Sequence, residues 1–478
     1  MSNVDYPRMF DYTAGYTDQY QLAMAQVYFL KGRKDERAVF DYFFRKLPFE
    51  GGYAVFAGLE DLLDALEILH FDDQDLDFLE QQGLDPRFVE YLRTFRFRGD
   101  LYSSVEGDIV FAARPVLQVE GTLIETQIIE TLLLNILNFQ TLIATKASRM
   151  RWAAGDRTLV DFGLRRAQGP GGYYASRAAI IGGFDATSNV RAGRDYGIPV
   201  SGTMAHSFVQ SYEDEITAFR HFAEERPDDC VFLVDTYDTL RSGLPNAITV
   251  AKEMENRGQS LKGIRLDSGD LAWLAAKSRK MLDDSQLPYV RIAASNQLNE
   301  HVIRSLLEQK APIDLFGVGT SLVIGEPDGA LDGVYKLVFA SGKPRIKLSE
   351  NIGKITIPHR KQVYRIINGD GAWVGADAVA LSGEENFSAI HHPFQPQKSF
   401  SVEGFGREPL LEKVMEGGKR CVARRSTQDI ARHCRERLGK LPAEYRRFEF
   451  PHIYKVGLSD GLKRERDRMI DGLREGAR

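Results

Sequence analysis

Residues 263–282 read G-I-R-L-D-S-G-D-L-A-W-L-A-A-K-S-R-K-M-L. A short apolar strand, Gly263 to Leu266, runs into a polar turn and then into a helix predicted over Asp270 to Leu282. One such unit decides little, but its repetition decides the fold class. Further strands are predicted near Leu159–Phe162, Ile180–Phe184, Ile198–Val200, Val231–Val234, Arg291–Ala294 and Asp314–Phe316. Helical patterns at Glu213–Glu225, Ala247–Arg257 and Asn299–Gln309 separate several of them. This alternation predicts parallel βα units, in a closed barrel or an open doubly wound sheet.

Polar residues follow each predicted strand. They are Gly163, Arg165 and Arg166; Asp185, Thr187, Ser188 and Asn189; Ser201, Thr203, His206 and Ser207; Asp235, Thr236 and Asp238; Arg265, Asp267, Ser268 and Asp270; Ser295, Asn296 and Gln297; and Gly317, Gly319, Thr320 and Ser321. In parallel α/β folds the carboxyl ends of the strands gather the ligand loops. The stretch 197–207, G-I-P-V-S-G-T-M-A-H-S, places small hydroxyl and glycine residues beside His206, which suits close backbone approach to an anion.

The glycines of G-V-G-T at 317–320 can turn N–H groups toward a phosphate. Arg265 suits bidentate contact with phosphate or carboxylate, and Asp267 and Asp270 suit ribose hydroxyls or Mg²⁺. There is no G-x-x-x-x-G-K-[ST] loop where a nucleotidase needs one, and no H-x-x-x-H pair. The residues by themselves lead to an enzyme of phosphorylated sugars or nucleotides.

Composition sets the outer bounds. The 478 residues exceed one ordinary core, and 43% apolar content predicts a soluble globular protein of two or three domains. A net charge of −5 gives no general argument for nucleic acid or an anionic membrane. Cys230, Cys421 and Cys434 have no metal-ligand grouping, which predicts a reducing, cytoplasmic setting. Asp5 and Asp11 near the start, with no apolar run after a basic segment, argue against a secretory signal.

The other segments form the frame. A helix is predicted after Thr17 or Asp18, with Tyr16 and Tyr20 at its start. A strand follows at Ala38–Phe44, a helix at Gly58–Leu69, and strands around Ile109–Phe111 and Val116–Val119. Glu125–Ala154 is the longest helical pattern. Residues 333–378 read as strands punctuated by Lys336, Lys343, Arg345, Lys347, Lys354, Arg360 and Lys361, either as solvated edges or as a basic wall near anionic ligands. The expected division is an N-terminal α/β domain at 1–125 completed by 340–390, a barrel-like domain at 126–339, and a helical extension at 391–478 that packs on its own subunit.

Eight motifs add a resemblance. They are T-D-Q-Y-Q-L-A-M-A (17–25), F-F-R-K-L-P-F (43–49), D-F-G-L-R-R-A-Q (161–168), G-G-F-D-A-T-S-N (182–189), G-T-M-A-H-S-F (202–208), R-L-D-S-G-D-L (265–271), S-N-Q-L-N-E (295–300) and F-G-V-G-T (316–320). In this order the sequence resembles the nicotinate phosphoribosyltransferase family, while the tail beyond about residue 390 contributes little to the likeness.

The resemblance implies a type II phosphoribosyltransferase fold, with an α/β N-terminal domain and an irregular, barrel-like parallel α/β domain. It implies a homodimer with shared active sites. The implied reaction transfers phosphoribosyl from 5-phosphoribosyl 1-diphosphate to nicotinate, coupled to ATP through a phosphohistidine and with Mg²⁺, in NAD salvage. By position it implies Tyr20, Phe162, Arg165 and Asp185 at nicotinate, and His206 as the phosphorylated residue. It implies Ser207, Arg265, Asp267, Gly317, Gly319 and Thr320 at the phosphoribosyl group, with no metal ligands assigned. The rivals are a related enzyme acting on nicotinamide and an inactive nucleotide-binding protein on the same fold.

Overall fold

The computed structural model describes residues 12–350, 352–395 and 397–476. The expectation resting on Asp5 and Asp11 lies outside them. The chain forms two compact units, one of Lys146–Gly329 and the other of residues 12–145 and 330–476.

Lys146–Gly329 carries the repeated βα units. Its strands are β1 (Thr158–Asp161), β2 (Ala186–Thr187), β3 (Val231–Leu233), β4 (Gly263–Leu266), β5 (Arg291–Ser295) and β6 (Leu315–Val318). They form one parallel sheet in the order β2-β1-β6-β5-β4-β3. Buried Leu159, Val160, Phe232, Ile264, Ile292, Ala294 and Phe316 line its strands. Helices Leu244–Asn256, Leu271–Asp284 and Glu300–Glu308 turn apolar faces inward, as their spacing predicts. Asp270 and Asn299 cap two of them, accepting hydrogen bonds from Trp273 N and from His301 N and Val302 N.

Two predicted strands differ. Ile180 and Ile181 end a helix, Pro170–Ile181, whose inner turns are buried through Tyr173, Ala175, Ala178 and Ala179. Ile198–Val200 contributes only a single bridge, Thr187 to Val200.

The second unit holds a seven-stranded antiparallel sheet, in the order Lys343–Pro344, Gly333–Ala340, Arg37–Phe44, Leu117–Thr122, Asp100–Ser103, Glu412–Glu416, Lys419–Arg420. A six-stranded sheet runs Ser399–Ser401, Ala389–His391, Lys455–Ser459, Trp373–Leu381, Lys361–Ile367, Gly406–Pro409. The predicted helix at Glu125–Ala154 is two helices, Leu123–Ile128 and Glu130–Ala154, the first opened by a reciprocal capping box between Thr122 and Glu125. The segment expected as a helical extension does carry helices Thr427–Lys440 and Asp460–Gly476, but it also supplies strands to both sheets.

A buried charge network fastens that tail. Asp108 accepts from Arg365 at 3.2 Å and from Arg437 at 2.7 Å. Asp377 pairs with Arg365 and Arg114 at 3.1 and 3.0 Å and accepts from Tyr454 at 2.8 Å. Burial raises the Asp108 pKa, but Arg365 and Arg437 outweigh it and hold the carboxyl at about 2. A depressed carboxyl contributes stability that is present above its unfolded value of about 3.9 and is lost as pH falls through its folded value. Here the contribution is on the order of 2 kcal/mol. Asp108→Asn is expected to cost about 3–5 kcal/mol near neutral pH, because two guanidinium groups lose a buried counter-charge. Urea titrations should show the gap to the parent chain narrowing as pH drops toward 2.

Candidate active site

The site assembles at the carboxyl ends of β1, β3, β4, β5 and β6. His206 is the first residue of a short helix, His206–Gln210. Its Nδ1 lies 3.1 Å from Thr236 Oγ1, just beyond β3. Its Nε2 faces two carboxylates, Asp235 Oδ1 at 4.0 Å and Asp267 Oδ2 at 3.9 Å. Asp235 is held in place through its other oxygen, which accepts from Asp267 N at 3.0 Å and Ser268 Oγ at 2.5 Å. Its Oδ1 is buried without a hydrogen-bond partner.

Arg265, on β4, is the hub. Its Nε donates to Ser295 Oγ at 2.8 Å, its Nη1 to Thr203 Oγ1 at 3.0 Å, and its Nη2 to Asp267 Oδ1 at 2.9 Å. Ser295 Oγ also donates to Asp267 Oδ1. The guanidinium lies 5.4 Å from the centre of the Phe162 ring. One cation therefore ties the ends of β4 and β5 to the segment before His206 and backs the aromatic at the end of β1.

Phe162 owes its position to Gly317. A Cβ there would sit 2.3 Å from Phe162 Cε2, so the glycine makes room for the ring. The sequence reading gave Gly317 to the phosphate; its immediate neighbour in the structure is the aromatic. Gly319 and Thr320 follow, with Thr320 opening the short helix Thr320–Val323. Arg165 is exposed on the turn Leu164–Arg166, and Ser207 is exposed beside His206.

Asp185 is a correction. It precedes β2, and its carboxylate accepts from Leu159 N at 2.8 Å and pairs with Arg151 at 2.5 Å. Leu159 lies three residues before Phe162, about 10 Å back along the strand. Asp185 thus serves the amino end of the sheet. At the carboxyl end of β2, Ser188 N donates to Asp161 O at 2.8 Å. Asp235, Thr236 and Ser295, which the sequence places at strand ends without a role, belong to the site's framework, as does Asp161, which the sequence shows only inside a motif. Their common signal is a small polar residue ending or directly following a strand.

Tyr20 lies on the second unit, half-exposed at the start of helix Gln19–Leu30. Burial, then Glu130 and Asp18, raise its phenol pKa. That unit also contains a cavity of about 430 Å³ lined by Arg45, Lys46, Arg114 and Lys354 together with Asp41, Asp332 and apolar side chains. Arg114 Nη2 is buried without a hydrogen-bond partner. The cations at 336–361 divide by role. Lys361 is fully buried, bonded to Asp41 at 2.9 Å and to backbone carbonyls at Ile357 and Pro358. Arg360 is clamped on Glu120. Lys343, Arg345, Lys347 and Lys354 are exposed.

Three family models match: the nicotinate phosphoribosyltransferase N-terminal domain at 16–138, the family itself at 158–368, and its C-terminal domain at 360–466. The nicotinate phosphoribosyltransferase of Bacillus subtilis is 47% identical over 455 residues, covering 93% of this chain and 92% of that one. That of Caenorhabditis elegans is 37% identical over 513 residues, covering 93% and 91%. The crystal structure of human nicotinic acid phosphoribosyltransferase is similar with a TM-score of 0.84 at 32% identity, covering 95% of this chain and 99% of that one. Fold and site thus define a type II phosphoribosyltransferase, a parallel-sheet enzyme with an appended α/β unit. The chain belongs to the nicotinate phosphoribosyltransferase family.

Proposed function

We propose that this enzyme transfers phosphoribosyl from 5-phosphoribosyl 1-diphosphate to nicotinate, coupled to ATP through phosphorylation of His206, as the entry step of NAD salvage. The observation that carries the coupling is the setting of His206 between the Thr236 hydroxyl and two carboxylates. In a tautomer protonated on Nε2, facing Asp235 and Asp267, Nδ1 accepts from the Thr236 hydroxyl; when that hydroxyl turns away, the Nδ1 lone pair is free for the γ-phosphorus of ATP. The new N–P bond forms as the bond to ADP breaks, and water later releases phosphate.

In the transfer itself the nicotinate ring nitrogen attacks the anomeric carbon as diphosphate departs. Positive character grows on the ribose, so positioning and charge stabilisation provide most of the effect. Phe162 offers a face to the ring, Arg165 a cation for its carboxylate, and Arg265 a cation above Phe162 toward the ribose phosphates. Gly319 and Thr320 supply backbone N–H groups to a phosphate.

Asp235 Oδ1, buried and unpartnered, and Asp267 Oδ2 suit Mg²⁺, which takes one or two carboxylates and fills the rest with water and phosphate oxygens. Among the described residues no group of three or more His, Cys, Asp or Glu is placed to hold a metal ion by itself. When bound, the ion neutralises charge on the departing diphosphate. A homodimer would bring Tyr20 and the cavity lined by Arg45 and Lys354 to the partner's site, the first at the pyridine ring and the second at ATP or diphosphate. Three unpaired cysteines accord with the cytoplasm, and no helix among the described residues is long and apolar enough to cross a membrane.

Purified protein given nicotinate, 5-phosphoribosyl 1-diphosphate and Mg²⁺ should form nicotinate mononucleotide, faster with ATP, as read by chromatography. Folded protein that forms none, or that prefers nicotinamide in direct competition, overturns this function.

A further inference from the structure

Asp161 ends β1 and is completely buried. Its Oδ1 accepts from Gly163 N at 2.7 Å. Its Oδ2 accepts from Ser176 Oγ at 2.8 Å and Thr187 Oγ1 at 2.7 Å. Its backbone oxygen accepts from Ser188 N. All of these donors are neutral. Burial raises the carboxyl pKa, and the bonds from Gly163, Thr187 and Ser176 oppose it. A buried carboxylate facing only neutral donors is a poor source of stability. What it supplies is direction, because three convergent bonds fix two loops at once. The first loop is the turn 162–166, where Phe162 N donates to Val318 O and Arg166 N to Gly163 O. Gly163 is pressed so close to Val323 that a Cβ would lie 1.9 Å from its Cγ1. The second is the start of helix Val190–Tyr196, where Asn189 N donates to Thr187 Oγ1 and Asn189 Nδ2 to Ser176 Oγ.

We propose that Asp161 is the positioning residue for the acceptor: its carboxylate locks the turn that carries Phe162 and Arg165 and thereby sets the affinity for nicotinate. This rests on the reading that Phe162 and Arg165 hold nicotinate. In Asp161→Asn the amide oxygen can keep the Gly163 bond, and Ser176 can turn its hydroxyl to Gly172 O, 2.9 Å away. The fold is therefore retained, but the amide NH2 now faces the Thr187 hydroxyl from which Oδ2 accepted, so the side chain that holds Gly163 loses its fixed anchor and the turn carrying Phe162 and Arg165 loosens with it.

The test is steady-state kinetics on Asp161→Asn, Phe162→Ala, Arg165→Ala and the double variant Ser176→Ala/Thr187→Val, with melting temperatures in parallel. The expected result for Asp161→Asn is a nicotinate KM raised about tenfold or more, with the KM for 5-phosphoribosyl 1-diphosphate within about twofold. The double variant, which keeps the Gly163 bond, should move the nicotinate KM the same way by less, and it serves as the test if Asp161→Asn fails to fold. A nicotinate KM within twofold of the parent in both, or equal rises for both substrates, overturns the proposal. Unchanged nicotinate KM in Phe162→Ala and Arg165→Ala instead overturns the underlying site reading.

Discussion

A His206→Ala protein is expected to take up no label from ATP carrying a labelled γ-phosphate, and ATP should no longer alter its rate with nicotinate. The parent protein should show the label on His206 by peptide mapping under neutral or alkaline workup, since phosphohistidine is acid-labile. The reason lies in the ring's surroundings: Thr236 orients Nδ1, and Asp235 and Asp267 face Nε2. Phosphorylation adds about two negative charges beside those carboxylates. The phosphorylated state would then be one of high local repulsion, which a divalent cation bound with the diphosphate would offset. A slow, ATP-independent transfer should survive if, as proposed, His206 does not attack the sugar. Full ATP stimulation in the Ala variant, or label confined to another residue, removes His206 from the coupling step and leaves the transferase assignment standing.

Arg265→Ala is expected to behave differently. It should lower kcat/KM for 5-phosphoribosyl 1-diphosphate on the order of 100- to 1,000-fold, with or without ATP. The guanidinium donates to Ser295, Thr203 and Asp267 and backs Phe162, so its loss frees Asp267 from its counter-charge and loosens three strand ends together. Arg265→Lys should recover little of the loss, because a single ammonium cannot span that fork of acceptors. Initial rates at varied 5-phosphoribosyl 1-diphosphate would read both variants. A loss confined to the ATP-stimulated rate would show that Arg265 serves coupling and not the sugar phosphate.

Much of the parallel unit is legible in sequence because its strands are mostly buried and its helices one-sided. The strands expected at Gly263–Leu266 and Asp314–Phe316 and the helix expected at Ala247–Arg257 overlap the observed Gly263–Leu266, Leu315–Val318 and Leu244–Asn256. The misreading of Ile180–Phe184 has a physical source. The helix Pro170–Ile181 is buried over most of its length and rich in alanine and glycine, so its period of 3.6 is weak and its last apolar residues imitate a strand. The error carries into the site. A strand ending at Phe184 puts Asp185 at the carboxyl edge; the real strand begins after it, at Ala186, and moves Asp185 to the opposite edge. The strands of the tail escape for another reason. Glu412–Glu416 and Gly406–Pro409 are short and heavily charged, and their pairing partners lie far away in the chain. Asp161 opens the stretch D-F-G-L-R-R-A-Q at 161–168, and nothing in the letters tells a buried acceptor from an exposed one.

The seven-stranded sheet pairs Arg37–Phe44 with Gly333–Ala340, while the whole parallel unit is encoded between the two. During synthesis the strand at 37–44 therefore emerges long before its partner. At a typical 5–20 residues per second the delay is about 15–60 s. Over that interval one side of an apolar strand, A-V-F-D-Y-F-F at 38–44, has its ladder groups unmet. The parallel unit can close on itself while the unit of residues 12–145 and 330–476 waits, so order of emergence and order of completion are reversed. The nascent chain is most exposed to pairing with a neighbouring nascent chain in this window, and heat or slowed translation there should cost yield of the enzyme even where the finished protein is stable.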